Sequence, residues 1–426
     1  MKKIVRIVAS MIMVTVMLTG MAGCSSGAVD VKAADLMDGV KADSVTVDKK
    51  AFEFAGDVTD FAVRLVKECS ENAGKGENML ISPLSVLLAL SMTANGAQNE
   101  TLAQMESVLG MSANELNEFA YRFMHDISAV SKNSGSLEPA NAIWFKADPG
   151  FAVNKDFLQT NANYYDADLY SAPFDDSTLK DINKWVKNKT KGMIPSILDR
   201  IPDDTVMYLI NALAFDAEWE EPYKKNQVYD ESFTTAGGDK KEVPFMHSEE
   251  AGYIEDENAT GFIKYYKNCQ FAFAAILPNE NLSPADYLKS LSGEHLYDMI
   301  RNPEVCAVIT STPKFKTEYS VEMSEILKAM GMQKAFDDSE ADFGKIGSYN
   351  GDNLYISRVL HKTFIDVDEK GTKAGAATAV EMNGKSAPME PVEPKTVFLT
   401  RPFIYMLIDC GTGIPFFIGV MNDPEK

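Results

Sequence analysis

Polar and apolar positions alternate with period two in a stretch near the C-terminus, residues 369–394. From Thr372 to Met382 every even-numbered residue is small or apolar, whereas the odd-numbered residues include Lys373 and Glu381. This alternation predicts a strand with one buried and one solvent-facing side. Its many Gly and Ala residues form strands poorly on their own, so we expect the strand to form only where an existing sheet receives it.

Helical periodicity dominates the first half of the chain. Apolar residues recur at helical spacing from Phe54 to Leu65, which places the start of the folded part near residue 50. The following stretch, ISPLSVLLALSMTANGA, has Pro83 where a first helical turn tolerates proline and Asn95-Gly96 where a helix stops. Because this helix is apolar on nearly all sides, we expect it at the centre of the domain.

The remaining segments add one helix and several strands. A helix that carries Trp185 is predicted to begin at Ile182 and to end around Gly192 and Pro195. The continuous apolar run at 206–215 predicts a strand buried on both faces. Further strand candidates are AFAAIL, CAVITSTPKF, FLTRPFIYMLID and PFFIGVM. Helices early and strands late favour one mixed α+β domain over alternating βαβ units.

Composition and charge narrow the class of protein. The 426 residues are 45% hydrophobic and 24% charged, which is typical of a globular chain with a sizeable core. The formal net charge of −21 repels phosphate backbones and anionic lipid. We therefore expect no nucleic-acid partner.

The N-terminus indicates export. Three basic residues precede a short apolar stretch, and the small residues Ala22 and Gly23 stand directly before Cys24. This arrangement resembles the bacterial lipobox, which implies that Cys24 becomes lipid-modified and begins the mature protein; the alternative is a plain signal cleaved near Gly23. We expect a signal peptide over 1–23, a flexible tether over 24–49 and a folded domain over 50–426. The protein is then extracellular, either anchored to a bacterial membrane through Cys24 or secreted.

A search for catalytic, metal-binding and cofactor-binding patterns yields none. The four histidines lie far from one another and from the cysteines, and we find neither a GxSxG nucleophile elbow on a strand-to-helix turn nor HExxH; Gly23-Cys24-Ser25-Ser26-Gly27 fits the letters GxSxG but lies at the end of the export signal. Gly384-Lys385-Ser386 imitates the end of a phosphate-binding loop, but Ala379 stands where that loop needs its first glycine. The scattered Cys69, Cys269, Cys306 and Cys410 are interpreted as buried thiols, and the lysines of 184–191 as a solvated helix face. We therefore expect no catalytic residue, metal or cofactor.

Several segments together resemble the serpins, and they occur in that family's order across residues 50–424. They are ISPLSVLLALSMTANGAQNETLAQM, NAIWF, INKWVKNKTKGMI, LINALAFDAEWEEPY, PKFKTEYSVEMSEILKAMGM, FDDSEADF, ISRVLHKTFIDVDEKGTKAGAATA, RPFIYMLID and GVMNDP. The resemblance implies an α+β serpin fold with three β-sheets, eight or nine helices and an exposed reactive-centre loop near the C-terminus. It also implies a protease inhibitor rather than an enzyme.

The resemblance gives the alternating segment a role. In the family, a serine protease cleaves the loop and is trapped as an acyl-enzyme while the freed loop inserts into the largest sheet as a new strand. The implied hinge residues are Glu369, Gly371, Thr372, Ala374, Gly375, Ala376, Ala377 and Thr378. The family's usual spacing, seventeen residues counted from Glu369, places the reactive bond at Lys385-Ser386. Lysine there favours trypsin-like proteases.

The resemblance further implies a polar cluster of Ser82, Ser85, Asn211 and His361 that controls opening of the sheet. Two alternatives remain open for the loop, because Met382 or Met389 would suit an elastase-like or subtilisin-like protease. Two others remain open for the whole protein, a non-inhibitory serpin that binds or carries a ligand and a solute-binding lipoprotein. We expect a monomer.

Overall fold

A computed structural model describes residues 32–74, 76–348, 354–372 and 393–425. The α-helices of these residues are α1 Ala55–Asn72, α2 Pro83–Ala94, α3 Asn99–Leu109, α4 Ala113–Ser134, α5 Lys155–Tyr164, α6 Asp176–Lys189, α7 Pro284–Ser290, α8 Gly293–Arg301 and α9 Ser324–Ala329. Short 3-10 helices are Ala51–Phe54, Lys225–Gln227, Lys267–Cys269 and Lys334–Phe336.

The strands of these residues form three sheets, as expected for the predicted α+β fold. They are β1 Ala34–Asp35, β2 Met79–Ile81, β3 Ser136–Lys146, β4 Ala152–Val153, β5 Asp168–Ala172, β6 Met207–Glu218, β7 Val228–Thr234, β8 Lys240–Glu255, β9 Ala259–Tyr265, β10 Phe271–Pro278, β11 Glu304–Pro313, β12 Phe315–Glu322, β13 Gly347–Ser348, β14 Arg358–Val367, β15 Gly371–Thr372, β16 Lys395–Phe398, β17 Phe403–Asp409 and β18 Pro415–Met421.

The candidate functional site lies in a seven-stranded sheet. Its order is β1-β5-β3-β6-β15-β14-β12, with β6 also paired directly to β14. The second sheet has nine strands and runs β16-β11-β8-β9-β10-β17-β18-β2, with β7 paired to β8 beside this path. A two-stranded sheet of β13 and β4 completes the described set.

The central elements are those whose sequence is apolar throughout. Every residue of α2 is buried, and Ser82 caps its first turn by accepting a hydrogen bond from the Ser85 N–H. Strand β6 is buried from Met207 to Phe215, as its continuous apolar run predicts. Helix α2 packs against β6 and β18, and so joins the two large sheets through one core.

Two element boundaries differ from the predictions. Helix α6 begins at Asp176 rather than Ile182, because Asp175 caps it by accepting hydrogen bonds from the N–H groups of Ser177 and Thr178. The first turns of this helix are polar, so a pattern of apolar residues does not reveal where it begins. The strand predicted over FLTRPFIYMLID begins only at Phe403 as β17, and Phe398 of that segment is the last residue of β16.

The predicted tether also differs from the structure where the structure describes it. Residues 32–49 are hydrogen-bonded to the folded part, so the prediction of a flexible tether is wrong for them. Strand β1 pairs antiparallel with β5, and the backbone N–H groups of Lys32 and Ala33 donate to Asp181 on α6. Val47 is buried. No helix within the described ranges is long and apolar enough to cross a membrane.

Candidate functional site

The candidate site is an opening in the seven-stranded sheet. Strands β6 and β14 are parallel neighbours only where 208–211 pair with 358–361. Beyond that point they separate, and the two residues of β15 lie between their far ends. Thr372 pairs antiparallel with both Ala217 of β6 and Val367 of β14. The described start of the predicted loop is therefore already inside the sheet.

A backbone anchor holds the chain that leads into this opening. The backbone N–H groups of Trp219 and Tyr223 donate to the carbonyl oxygens of Lys370 and Glu369, both at 2.9 Å. The indole Nε1 of Trp219 donates to the Asp368 carbonyl at 2.8 Å. Three hydrogen bonds from one short segment thus fix residues 368–370.

An ion pair adds to this anchor at the surface. Lys314 Nζ lies 2.5 Å from a carboxylate oxygen of Glu369, and about a third of each side chain is exposed. The hydrogen bond from Lys314 lowers the pKa of the Glu369 carboxyl. Because solvent screens the pair, we assign it an orienting role rather than a large share of the stability.

Gly371 and Thr372 fit the opening for different reasons. A Cβ atom on Gly371 would lie 2.1 Å from the Ala217 carbonyl oxygen, so this position needs glycine. The Thr372 side chain is buried, and its hydroxyl is 2.5 Å from the Tyr266 hydroxyl beneath the sheet. Thr372 therefore points inward, which is the phase that the alternating pattern predicts for even-numbered residues.

A buried aromatic and charged layer lies under the anchor. The rings of Trp219 and Tyr266 stack at 4.3 Å between centroids. Lys264 Nζ lies 4.5 Å from the centroid of the Tyr223 ring and donates to Glu250 Oε1 at 2.7 Å. Only 4% of the Lys264 side chain and 11% of the Glu250 side chain are exposed, so loss of either partner would leave a buried charge.

The sequence predictions did not include this layer. Its residues come from strands far apart in the chain, and Lys264 and Glu250 sit in segments whose pattern is typical of ordinary strands. The one local signal was the Trp219 indole in LINALAFDAEWEEPY, directly after a strand predicted to be buried.

The four residues of the predicted polar cluster lie together at the other end of the opening. His361 and Asn211 form the last direct pair between β14 and β6. The Ser82 N–H donates to His361 Nε2 at 3.0 Å, and His361 Nδ1 lies 3.2 Å from Asn211 Oδ1. Ser85 Oγ donates to the same Asn211 oxygen at 2.5 Å. The cluster thus ties α2 to both strands at the point where they part.

These partners define the protonation state of His361. Since Nε2 accepts a hydrogen bond and Nδ1 faces a carbonyl-type oxygen, the ring is neutral with its proton on Nδ1. The ring is fully buried, and this burial lowers the pKa of His361 to about 3. A proton on Nε2 would remove the acceptor for the Ser82 N–H.

The other predicted site residues lie outside the described part of the chain. They are the hinge residues Ala374, Gly375, Ala376, Ala377 and Thr378, the bond Lys385-Ser386 and the lipidation candidate Cys24. Their roles stay predictions.

The four described cysteines are free thiols, but they are not all buried. Cys69 is buried within α1, Cys306 and Cys410 are half-buried, and Cys269 is exposed. The prediction of buried thiols is therefore wrong for Cys269, because it lies in the tight turn of the 3-10 helix 267–269 rather than in the apolar strand that follows. Among the described residues, no group of three or more His, Cys, Asp or Glu side chains is placed to hold a metal ion.

Comparison with known proteins assigns the family. The family model for Serpin, described as serine protease inhibitor, matches residues 57–424. The chain is a member of the serpin family. This family consists mostly of protease inhibitors rather than enzymes, and its members generally target serine proteases. This serpin is 31% identical over 386 residues to serpin-ZXA of Oryza sativa subsp. japonica, across 86% of this chain and 96% of the relative.

Solved structures show the same fold. Native-state tengpin, a thermophilic serpin, is 49% identical with a TM-score of 0.86, across 92% of this serpin and 100% of that chain. Tengpin in its latent state is 48% identical with a TM-score of 0.75, and the match covers 89% of this serpin and 99% of that chain. Human thyroxine-binding globulin complexed with its ligand is 25% identical with a TM-score of 0.77, and the match covers 88% of this serpin and 99% of that chain.

The neutral state of His361 predicts a pH dependence of stability. The unfolded imidazole titrates near pH 6.5, so the unfolded chain binds one more proton than the folded chain below that pH. Stability should fall as pH drops from about 6.5 towards 3, by up to about 1.4 kcal/mol per pH unit from this residue.

The measurement compares melting temperatures at pH 7.5 and 5.0 for the wild type and His361→Gln, whose side chain does not titrate. The variant should lose less stability on acidification than the wild type. His125→Gln, at a histidine whose side chain is 64% exposed, is the control and should behave as the wild type. Equal losses in all three proteins would contradict the assignment.

Proposed function

We propose that this serpin inhibits serine proteases as a single-use substrate whose cleaved loop inserts into the seven-stranded sheet. The observation that carries the proposal is the position of β15 between β6 and β14, with Thr372 facing inward. The loop start already has the register, the direction and the inward phase that an inserting strand requires. The higher TM-score to tengpin in its native state than in its latent state supports a resting form that has not completed insertion.

Extending this register shows what insertion must overcome. Two residues beyond Thr372, position 374 would lie opposite Phe215 and Ile365, and position 378 would lie opposite Asn211 and His361. Further insertion would have to replace the direct pairs between 208–211 and 358–361. The polar cluster sits at this boundary, which supports its predicted role in controlling sheet opening.

The facing edges of β6 and β14 supply the driving force for loop insertion. Residues 212–216 of β6 pair with β3, and 362–366 of β14 pair with β12, but no described strand lies between them. An inserted strand would form hydrogen bonds along both edges, each worth about 1 kcal/mol net. Burial of the small even-numbered side chains would add roughly 25 cal/mol per Å².

The sequence count places the reactive bond at Lys385-Ser386, and we propose trypsin-like proteases as targets because their specificity pocket ends in a carboxylate. Met382 and Met389 are the alternatives, with an elastase-like or subtilisin-like target. We further propose that the protein is exported as a monomer and either anchored through a lipid on Cys24 or secreted, with 1–23 as the signal peptide. The basic and apolar N-terminal pattern supports export.

A second candidate is a non-inhibitory serpin that carries a small ligand. The similarity to thyroxine-binding globulin, whose structure was solved with thyroxine bound, supports this candidate. Against it, a carrier would not need the period-two sorting of the loop.

The first experiment mixes the mature protein with trypsin and separates the products on a denaturing gel. We expect a covalent complex that survives SDS, and mass spectrometry of the released C-terminal peptide should find Ser386 at its start. A different first residue would move the reactive bond, for example towards Met382 or Met389. Complete cleavage without any stable complex would contradict inhibition and favour the carrier.

A matched pair of loop variants tests the insertion step. Ala376→Arg introduces a charge on the predicted inward side, where burial is costly, whereas Ala377→Arg introduces the same charge on the outward side. We expect Ala376→Arg to be cleaved as a substrate with at least a tenfold higher stoichiometry of inhibition. Ala377→Arg should retain a value within about twofold of the wild type.

The readout is the molar ratio of inhibitor to trypsin at which activity disappears. Equal behaviour of the two variants would contradict insertion in the register given above.

A further inference from the structure

Helix α6 carries three exposed lysines on the side that faces away from the protein core. Lys180, Lys184 and Lys187 are spaced by four and three residues, which places them on one face of the helix, and we call them the lysine stripe. The opposite face, with Ile182 and Trp185, is buried. A charged helix face alone indicates only contact with solvent, so its surroundings decide whether it has a partner.

Other lysines of this segment are engaged in the fold and do not belong to the stripe. Lys189 Nζ lies 2.7 Å from a carboxylate oxygen of Asp168 on β5, and Lys191 Nζ donates to Ser136 Oγ at 3.4 Å. These contacts hold the end of α6 against the sheet. The prediction that all lysines of 184–191 form one solvated face is therefore wrong for Lys189, because this side chain is paired.

The N-terminal segment joins the fold on the same helix. The backbone N–H groups of Lys32 and Ala33 donate to Asp181 Oδ2 at 2.8 and 3.1 Å, and Asp181 follows Lys180 directly. Lys32 is exposed and adds a further basic side chain at this point. The chain that comes from Cys24 thus reaches the domain beside the lysine stripe.

The length of this chain limits which side of the domain can face a membrane. Lys32 stands eight residues after Cys24, and an extended chain of that length spans at most about 29 Å. A compact domain of about 400 residues is about 55 Å across. If the side opposite α6 touched the membrane, Lys32 would lie beyond the reach of this chain. A lipid on Cys24 would therefore keep α6 near the membrane surface.

The charges near this surface favour anionic lipid although the whole chain is acidic. The formal net charge of −21 is repelled by anionic lipid, but salt screens charges beyond about 8 Å, so the side chains nearest the lipid decide the interaction. Each basic side chain at such a surface strengthens the contact about fivefold. The exposed acidic residues Asp175 and Asp176 at the start of α6 and Asp35 on β1 oppose the contact, and the stripe together with Lys32 outnumbers them.

We propose that α6 is a membrane-facing surface: in the protein held through Cys24, the lysine stripe contacts anionic head groups of the membrane that holds it. This inference rests on the proposed lipid anchor but not on the identity of the target protease. Anchor and stripe are two separate contacts, so together they hold the domain in one orientation. In that orientation the α6 side of the seven-stranded sheet faces the lipid.

The first test maps the contact on vesicles, with an N-terminal hexahistidine tag in place of residues 1–24 and a nickel-chelating lipid in place of the natural anchor. The vesicles consist of phosphatidylcholine alone or with phosphatidylglycerol as about a third of the lipid. A water-soluble reagent acylates exposed lysines, and mass spectrometry gives the rate at each one. We expect rates at Lys184 and Lys187 that are at least threefold lower on the anionic vesicles. The rates at Lys224 and Lys240, which are exposed before β7 and at the start of β8, should not change.

The second test measures the affinity of the tagged protein for both kinds of vesicle by co-sedimentation. The wild type should bind the anionic vesicles at least tenfold more tightly than the neutral ones, and this gain should shrink at high salt because the contact is screened. Lys184→Gln combined with Lys187→Gln should remove most of the gain. Lys224→Gln combined with Lys225→Gln is the matched control, which removes the same charge at exposed positions elsewhere and should stay within twofold of the wild type.

Three outcomes would overturn the inference. The stripe could be acylated at equal rates on the two kinds of vesicle, or both double variants could lose affinity equally, which would show a general effect of charge. A soluble sulfated polysaccharide could protect the stripe where anionic vesicles do not, which would assign it to that class of ligand.

The lipid anchor is tested separately by the mass of the N-terminal peptide of the mature protein. An unmodified Cys24 would refute the anchor, whereas unprotected stripe lysines in the tagged protein would refute the membrane-facing surface alone.

Discussion

The separation of β6 and β14 is the constraint on which the rest of this structure depends. Two neighbouring strands that pair at 208–211 and 358–361 would ordinarily continue to pair, yet Gly371 and Thr372 hold their far ends apart. Over the next five residues, each strand is hydrogen-bonded to a neighbouring strand on its outer side only. Unpaired backbone groups are costly, so the sheet has more to gain from a new strand than from its present form.

Polar groups secure both ends of this opening. At one end the anchor formed by Trp219 and Tyr223 fixes the entering chain, above the buried Lys264–Glu250 pair. At the other end His361 and Asn211 join the strands to α2. Buried polar groups cost free energy unless they are paired, so both ends resist small displacements and yield only when their partners are replaced together.

The sequence predicted those elements whose own residues show an apolar or alternating pattern. Helix α2 and strand β6 were located because complete burial keeps a segment apolar throughout, and the phase of Thr372 followed from period-two alternation. The start of α6 was missed because a polar turn capped by Asp175 has no apolar stripe. Lys264 and Glu250 were missed because their burial comes from strands far apart in the chain. Residues 32–49 looked like a tether since their contacts use backbone groups and distant acceptors such as Asp181.

Loop insertion makes one physical claim that heating can test without any protease partner. The intact protein and the protein nicked once within 373–392 have the same residues and differ by one peptide bond. If the sheet takes up the freed segment, the nicked form should melt well above the intact form, by 10 °C or more for several kcal/mol gained. A nicked form that melts at or below the temperature of the intact form would contradict the account.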